Sequence, residues 1–174
     1  MPTSSYAVVA YLGGDLGKFV SGFRAVVTPH DRHLKPHITA LSPRKLQISD
    51  ADVIKSFQRN EVRSIKIEAG DVCTFRPLSP TIYLDLRRGQ QQMWELNTLL
   101  GASLLAGKPE WPFVPHVTLA KLEDFKDVPR VLQHARDRWL DYQGARDFSV
   151  TELTLVRESA KGVWVDLASI HAGG

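Results

Sequence analysis

Cysteine is almost absent. One residue, Cys73, among 174 excludes any disulfide within the chain and any cysteine-rich zinc site. Long hydrophobic runs are missing too. The apolar segment Tyr6 to Leu12 falls far short of the roughly 18 residues that a membrane-spanning helix needs. No Lys or Arg precedes it, which counts against a secretory signal and leaves a cytoplasmic location as the expectation. Neither sign of charge dominates. Lys and Arg number 22 against 19 Asp and Glu, a net charge of +3. That is too small for an extended nucleic-acid arm, yet compatible with a ligand bearing a single phosphate. Low-complexity stretches and long linkers are also lacking, so residues 1–174 read as a single globular domain.

What is present is an alternation of strand and helix periodicities in the predicted order βαβαβββαβαββ. Tyr6 to Leu12 reads as a buried strand. Asp15 is placed to cap a helix carrying Leu16, Phe19, Val20, Phe23 and Val27 on one face. Pro36 to Leu41 is extended, and Ser49-Asp50-Ala51-Asp52 opens a short helix that buries Val53, Ile54 and Phe57. Val62 to Glu68, Val72 to Phe75 and Thr81 to Leu86 read as three strands. The helical pattern Gln90 to Leu105 carries Met93, Leu96, Leu100 and Leu104, and it ends at Gly107 and Pro109. Val114 to Ala120 is extended, and Asp127-Val128-Pro129 starts a helix with Val128, Leu132, Ala135 and Trp139 inward. Phe148 to Val156 and Val163 to Ile170 close the chain. A change of apolar parity between Val150 and Leu153 predicts a bulge. The order implies an α+β fold with antiparallel or mixed pairing.

One tetrapeptide recurs. Pro36-His37-Ile38-Thr39 returns as Pro115-His116-Val117-Thr118, each copy at the start of a predicted strand. With 10 Pro, 6 His, 9 Thr and 43 Val, Ile or Leu, chance supplies about 0.004 such tetrapeptides. Two are present, so the repeat carries information. Residues i and i+2 of a strand share a face. His37 and Thr39 therefore point one way and Ile38 the other, and His116, Thr118 and Val117 repeat the pattern. Two imidazoles titrating near pH 6.5 can supply one general base and one general acid near neutrality. Threonine hydroxyls can hold the non-bridging oxygens of a phosphate. Such a constellation is suited to phosphoryl chemistry and requires no metal, because side chains supply acid, base and anion binding.

Two H-x-T-x motifs in a chain of this length resemble those of the two-histidine (2H) phosphoesterase superfamily. Pro-His-Val-Thr-Leu-Ala-Lys at 115–121 resembles its 2′-5′ RNA ligase-like (LigT-like) bacterial branch. That resemblance implies a bilobal, pseudo-twofold fold in which two antiparallel or mixed sheets, flanked by helices, surround a central cleft. It also implies metal-independent hydrolysis of 2′,3′-cyclic phosphates of nucleotides or RNA ends, usually leaving a 2′-phosphate, with weak 2′-5′ RNA ligation in some relatives. By motif position, His37 and His116 would be catalytic, Thr39 and Thr118 would bind phosphate, and Lys121 would contact substrate. The resemblance favours His116 as base and His37 as acid, whereas the motifs themselves are too alike to assign the roles. Strand parity places Lys121 on the face opposite His116. Ala40-Leu41-Ser42-Pro43 departs from the Phe-Leu-Gly ending common in the cyclic phosphodiesterase subgroup. A non-catalytic nucleotide or RNA-end binding module and a 2′-5′ RNA ligase are the alternatives. No cofactor, membrane or obligate protein partner is expected, and the chain reads as a monomer.

Other residues carry weaker signals. Trp111, Tyr83, Phe75 and Trp164 could stack on a base, with Tyr83 and Trp164 retained as substrate contacts. Arg44, Lys45, Arg76, Arg87 and Arg88 are either cleft cations or ordinary solvated charges. His30, His33 and His37 have a metal-like spacing, but Asp31 is their lone carboxylate and Arg32 and Lys35 lie beside them, so no metal is expected. His134 and His171 read as structural or solvated, Trp94 and Trp139 as core, and Cys73 as a small buried hydrophobe.

Overall fold

The computed structural model describes residues 3–103, 109 and 111–173. Its elements are β1 (Ser4–Tyr11), α1 (Gly14–Val27), β2 (His37–Leu46), α2 (Asp50–Gln58), β3 (Ile65–Thr74) and β4 (Thr81–Arg88). They continue with α3 (Gln90–Ser103), β5 (Val117–Lys121), α4 (Val128–Leu140), β6 (Asp147–Val150), β7 (Glu152–Ala160) and β8 (Val163–His171). All eight strands join one antiparallel sheet, in the order β6-β3-β4-β5-β2-β1-β7-β8. The two sheets expected from the resemblance are its two four-stranded halves, joined where β2 meets β5. A strand–helix–strand unit occurs in each half, as β1-α1-β2 and β4-α3-β5. The helices cross over, with α1 packing on β5 and α3 on β2. Each half therefore lends its helix to the strand that carries the other half's motif.

Alternation of side chains builds the core. Val8, Ile38, Ile82, Leu84 and Val117 turn toward the helices, where they meet Val20, Phe57, Met93, Leu100 and Trp139. Ser49 caps α2 by accepting the N–H of Asp52 at 3.2 Å, as the sequence predicts. Asp15, by contrast, makes no cap. The cap position of α1 is Gly13, and Asp15 sits in the first turn, where a negative charge still favours the helix dipole. Trp94 is 55% exposed rather than core, because the buried stripe of α3 runs through Met93, Leu96 and Leu100. Leu104, Leu105 and Gly107 lie outside the described residues. No helix among those described is long and apolar enough to cross a membrane.

Two strand expectations need correction. Val62 to Glu68 and Val72 to Phe75 form essentially one strand, β3, whose register shifts between Glu68 and Val72. There the Asp85 carboxylate accepts the Asp71 N–H at 2.6 Å, and the Gly70 carbonyl accepts Trp139 Nε1–H at 2.8 Å. A Cβ on Gly70 would press on the Asp85 carboxylate and displace it from the Asp71 N–H. The parity change after Val150, predicted as a bulge, separates two strands instead. β6 pairs with β3 at one edge, while β7 pairs with β1 and β8 in the other half. The sheet curls until these regions meet. The Ala172 N–H donates to the Thr151 carbonyl, and Gly173 bonds to Val62 and Ser64.

Candidate active site

Ile38 of β2 pairs with Val117 of β5, and both are fully buried. In an antiparallel pair, the residues flanking such a couple also oppose one another. Thus His37 lies across from Thr118, and Thr39 across from His116. All four side chains occupy the face opposite Ile38 and Val117, and all four are half-buried. Directly opposed Cβ atoms of neighbouring strands lie about 5 Å apart. The four side chains therefore spring from the corners of a rectangle about 5 Å across the strands and about 6.5 Å along them, each histidine beside the other motif's threonine.

The rings are held alike. Nδ1 of His37 bonds the Lys35 carbonyl at 2.8 Å, and Nδ1 of His116 bonds the Val114 carbonyl at 2.6 Å. A carbonyl only accepts, so Nδ1 carries the hydrogen in each ring and Nε2 is left for substrate. The intervening Pro36 and Pro115, with φ locked, fix the bend that brings each carbonyl to its ring. Burial pushes the pKa of His37 below 6.5. The Lys35 carbonyl opposes this shift, while Arg24 and His116 add to it. For His116, burial again lowers the value against the Val114 carbonyl. His116 is packed further by Phe75 and Tyr83, which stack on each other at 4.0 Å and present their rings to the imidazole at 4.9 and 5.2 Å.

A bulge follows each motif. Val8 and Val9 of β1 pair with Leu41 and Thr39, leaving Ala40 as an extra residue. Ile82 and Tyr83 of β4 pair with Ala120 and Thr118, leaving Leu119 extra. The residue pairs Ala40–Leu41 and Leu119–Ala120 are consequently buried together, and side-chain parity reverses beyond them. Lys121 thereby returns to the face of Thr118 and lines the same cleft as His37 and Thr39. Strand parity alone had put it on the other side. Near each bulge, a helix supplies a polar group to a strand carbonyl. Asn97 of α3 donates to the Ala40 carbonyl at 2.9 Å, and Arg24 of α1 donates to the Thr118 carbonyl at 2.5 Å and the Leu34 carbonyl at 3.1 Å.

A model of the 2′-5′ RNA ligase superfamily matches residues 14–162. The chain belongs to this superfamily. A Bacillus pumilus relative named "Putative phosphoesterase" is 26% identical over 162 residues, covering 91% of this chain and 92% of its own. A relative of the same name from Geobacillus thermodenitrificans is 29% identical over 119 residues, covering 67% of this chain and 68% of its own. Among solved structures, the E. coli LigT apo form superposes with a TM-score of 0.69 at 15% identity over 100% of both chains. LigT has also been solved complexed with 3′-AMP, and that structure matches with a TM-score of 0.66 at 14% identity, covering 99% of this chain and 100% of its own. The fold is LigT-like, α+β, and built on a curled antiparallel sheet.

In this LigT-like frame, the cleft occupies about 710 Å³ and contains His37, Thr39, Thr118, Lys121 and Trp164. Trp164 packs beside Ala7, Val9 and Val156, an apolar floor on the open face of the sheet and separate from the main core. Tyr83 stands on the far side of His116, next to Phe75. Trp111 is 57% exposed and is no part of this cleft lining. The proposed basic residues do not supply the cleft's charge. Arg44 is buried and bonds the carbonyls of Ser42 and Pro43, while Arg87 and Arg88 pair with Glu68. The cations there are Arg24, Lys35 and Lys121. Arg24 escaped the sequence reading, although its signal was available. It stands in line with Val20 and Val27 on the apolar face of α1, an odd place for a charge. His33 bonds the His30 carbonyl and His30 approaches Asp31 at 3.5 Å. Among the described residues no three His, Cys, Asp or Glu side chains converge as metal ligands. Cys73 is half-buried beside Asp85, and its thiol pKa is raised mainly by burial.

Proposed function

We propose that this member of the 2′-5′ RNA ligase superfamily hydrolyses 2′,3′-cyclic phosphates of nucleotides or RNA ends, without a metal, to 2′-phosphates. The observation that carries the reading is the Ile38–Val117 pairing, which brings the two motifs side by side with their histidines diagonal. One Nε2 takes a proton from water as the water oxygen bonds to phosphorus. The bond from phosphorus to the ribose 3′ oxygen breaks, and the other Nε2–H protonates that oxygen. Thr39 and Thr118 donate to the non-bridging oxygens, on which negative charge accumulates. The sheet halves act as two lobes around this one phosphate. LigT complexes with 3′-AMP and with phosphate are in keeping with such a ligand. A binding module alone would need no paired acid and base.

The pH dependence of kcat/KM tests this directly. It reports the free protein, in which both histidines titrate below 6.5. One must be neutral and one protonated. Activity therefore rises through the lower macroscopic pKa and falls through the higher, giving a bell whose optimum lies on the acid side of 6.5. A rate that climbs monotonically into the alkaline range would refute the pair.

The apolar floor offers a base a place to lie. Replacing Trp164 with Ala is expected to raise KM for a 2′,3′-cyclic nucleotide about tenfold while kcat changes little, since a stacked base contributes about 1–3 kcal/mol. An unchanged KM would move the base elsewhere, with the Phe75–Tyr83 stack as the next site to test.

A further inference from the structure

The two motifs are near copies, yet the helices above them differ in one respect. The neutral amide of Asn97 meets the strand of the first motif, whereas the guanidinium of Arg24 meets the strand of the second. Arg24 is only 4% exposed. Its two carbonyl bonds tie the segment entering the first motif, at Leu34, to the second motif's strand, at Thr118. It also lines the cleft with His37. We propose that Arg24 is the positioning residue that divides the work between the histidines: by fixing a buried positive charge beside His37, it makes His37 the proton acceptor and leaves His116 as the donor. This assignment reverses the one the family resemblance favours, and it rests on the phosphodiesterase reading above.

The surroundings of His37 leave Arg24 as the decisive charge. Asp31, ahead of β2, lines the same cleft and partly offsets the positive charge of the guanidinium, which stays protonated throughout. Lys35 is offset by Asp166 of β8 at 3.3 Å, and the Tyr11 hydroxyl of β1 also bonds Asp166. His33 is turned to the His30 carbonyl. On β5, Lys121 is exposed to solvent, which screens it. His116 adds positive charge only when protonated. A fixed cation disfavours a second one nearby, so His37 sheds its proton before His116 does. Arg24 bears on His37, whereas for His116 burial and the Val114 carbonyl are the causes of the shift.

The test is NMR titration of the two imidazoles, with pH–rate profiles, in the unaltered protein and in Arg24→Gln, Arg24→Lys and Asp31→Asn. In the unaltered protein His37 titrates below His116. Arg24→Gln should move the His37 titration upward and leave His116 in place. The acidic limb of kcat/KM should follow while the basic limb stays, and kcat should fall about tenfold, the loss expected for one charged hydrogen-bonding group. Arg24→Lys should keep the His37 titration near its original position. Asp31→Asn, which needs no change in the buried residue, should move His37 downward and spare His116. An unmoved His37 in Arg24→Gln and Asp31→Asn, or a shift of the basic limb in place of the acidic one, would overturn the proposal. Absence of turnover in the unaltered protein would instead overturn the phosphodiesterase reading, while the titrations would still decide whether Arg24 governs His37.

Discussion

Replacing either motif histidine with Ala is expected to lower kcat for a 2′,3′-cyclic nucleotide at least about a hundredfold, roughly 2.7 kcal/mol of barrier. The double variant should cost little more than either single one, because acid and base act in one step and removing one idles the other. Folding should survive. Both rings are half-buried on the open face of the sheet, and the packing beneath them is made by Ile38 and Val117. Circular dichroism and thermal unfolding of the variants separate lost chemistry from lost structure. Undiminished turnover in His37→Ala or His116→Ala would show that the reaction lies elsewhere.

The threonines come next. Thr39→Val and Thr118→Val keep volume and branching and remove only the hydroxyl. A hydrogen bond to a charged group contributes about 1.5–3 kcal/mol, so each variant should lose about tenfold to a hundredfold in kcat/KM. The loss should fall mainly on kcat, because the phosphate oxygens gain charge on the way to the transition state. The two positions should behave alike. Each threonine flanks the opposite histidine across the β2–β5 junction, so neither motif is complete without the other. A loss confined to KM would mean that the hydroxyls hold substrate and transition state equally.

Much of this site was legible in the sequence because it depends on local regularities. The period of two in a strand puts His37 with Thr39 and His116 with Thr118, and the recurrence of Pro-His-x-Thr singles them out from the other histidines. Where the sequence misled, non-local pairing had altered the period. Leu119 is inserted relative to β4, a fact that depends on the register with Ile82 and Tyr83, and it turns Lys121 into the cleft. Thr151 reads as a local irregularity until β6 and β7 are seen to join opposite halves of the curled sheet. Gly70 broke a strand pattern because its own carbonyl accepts the Trp139 indole N–H and the next N–H, of Asp71, turns to Asp85. Arg24 marks the remaining gap. Its role comes from two carbonyls, one 10 and one 94 residues away in sequence, and the latter is exposed by strand geometry that no helical pattern encodes.

The central claim is that the histidines and threonines of the two motifs carry the hydrolysis of one cyclic phosphodiester without a metal. Phosphorus NMR of a 2′,3′-cyclic nucleotide incubated with the chelator-treated protein tests it most directly. The account predicts conversion to the 2′-phosphate at a rate that added chelator leaves unchanged. Substrate that persists, or turnover that stops with chelator and returns with a divalent metal, would contradict it.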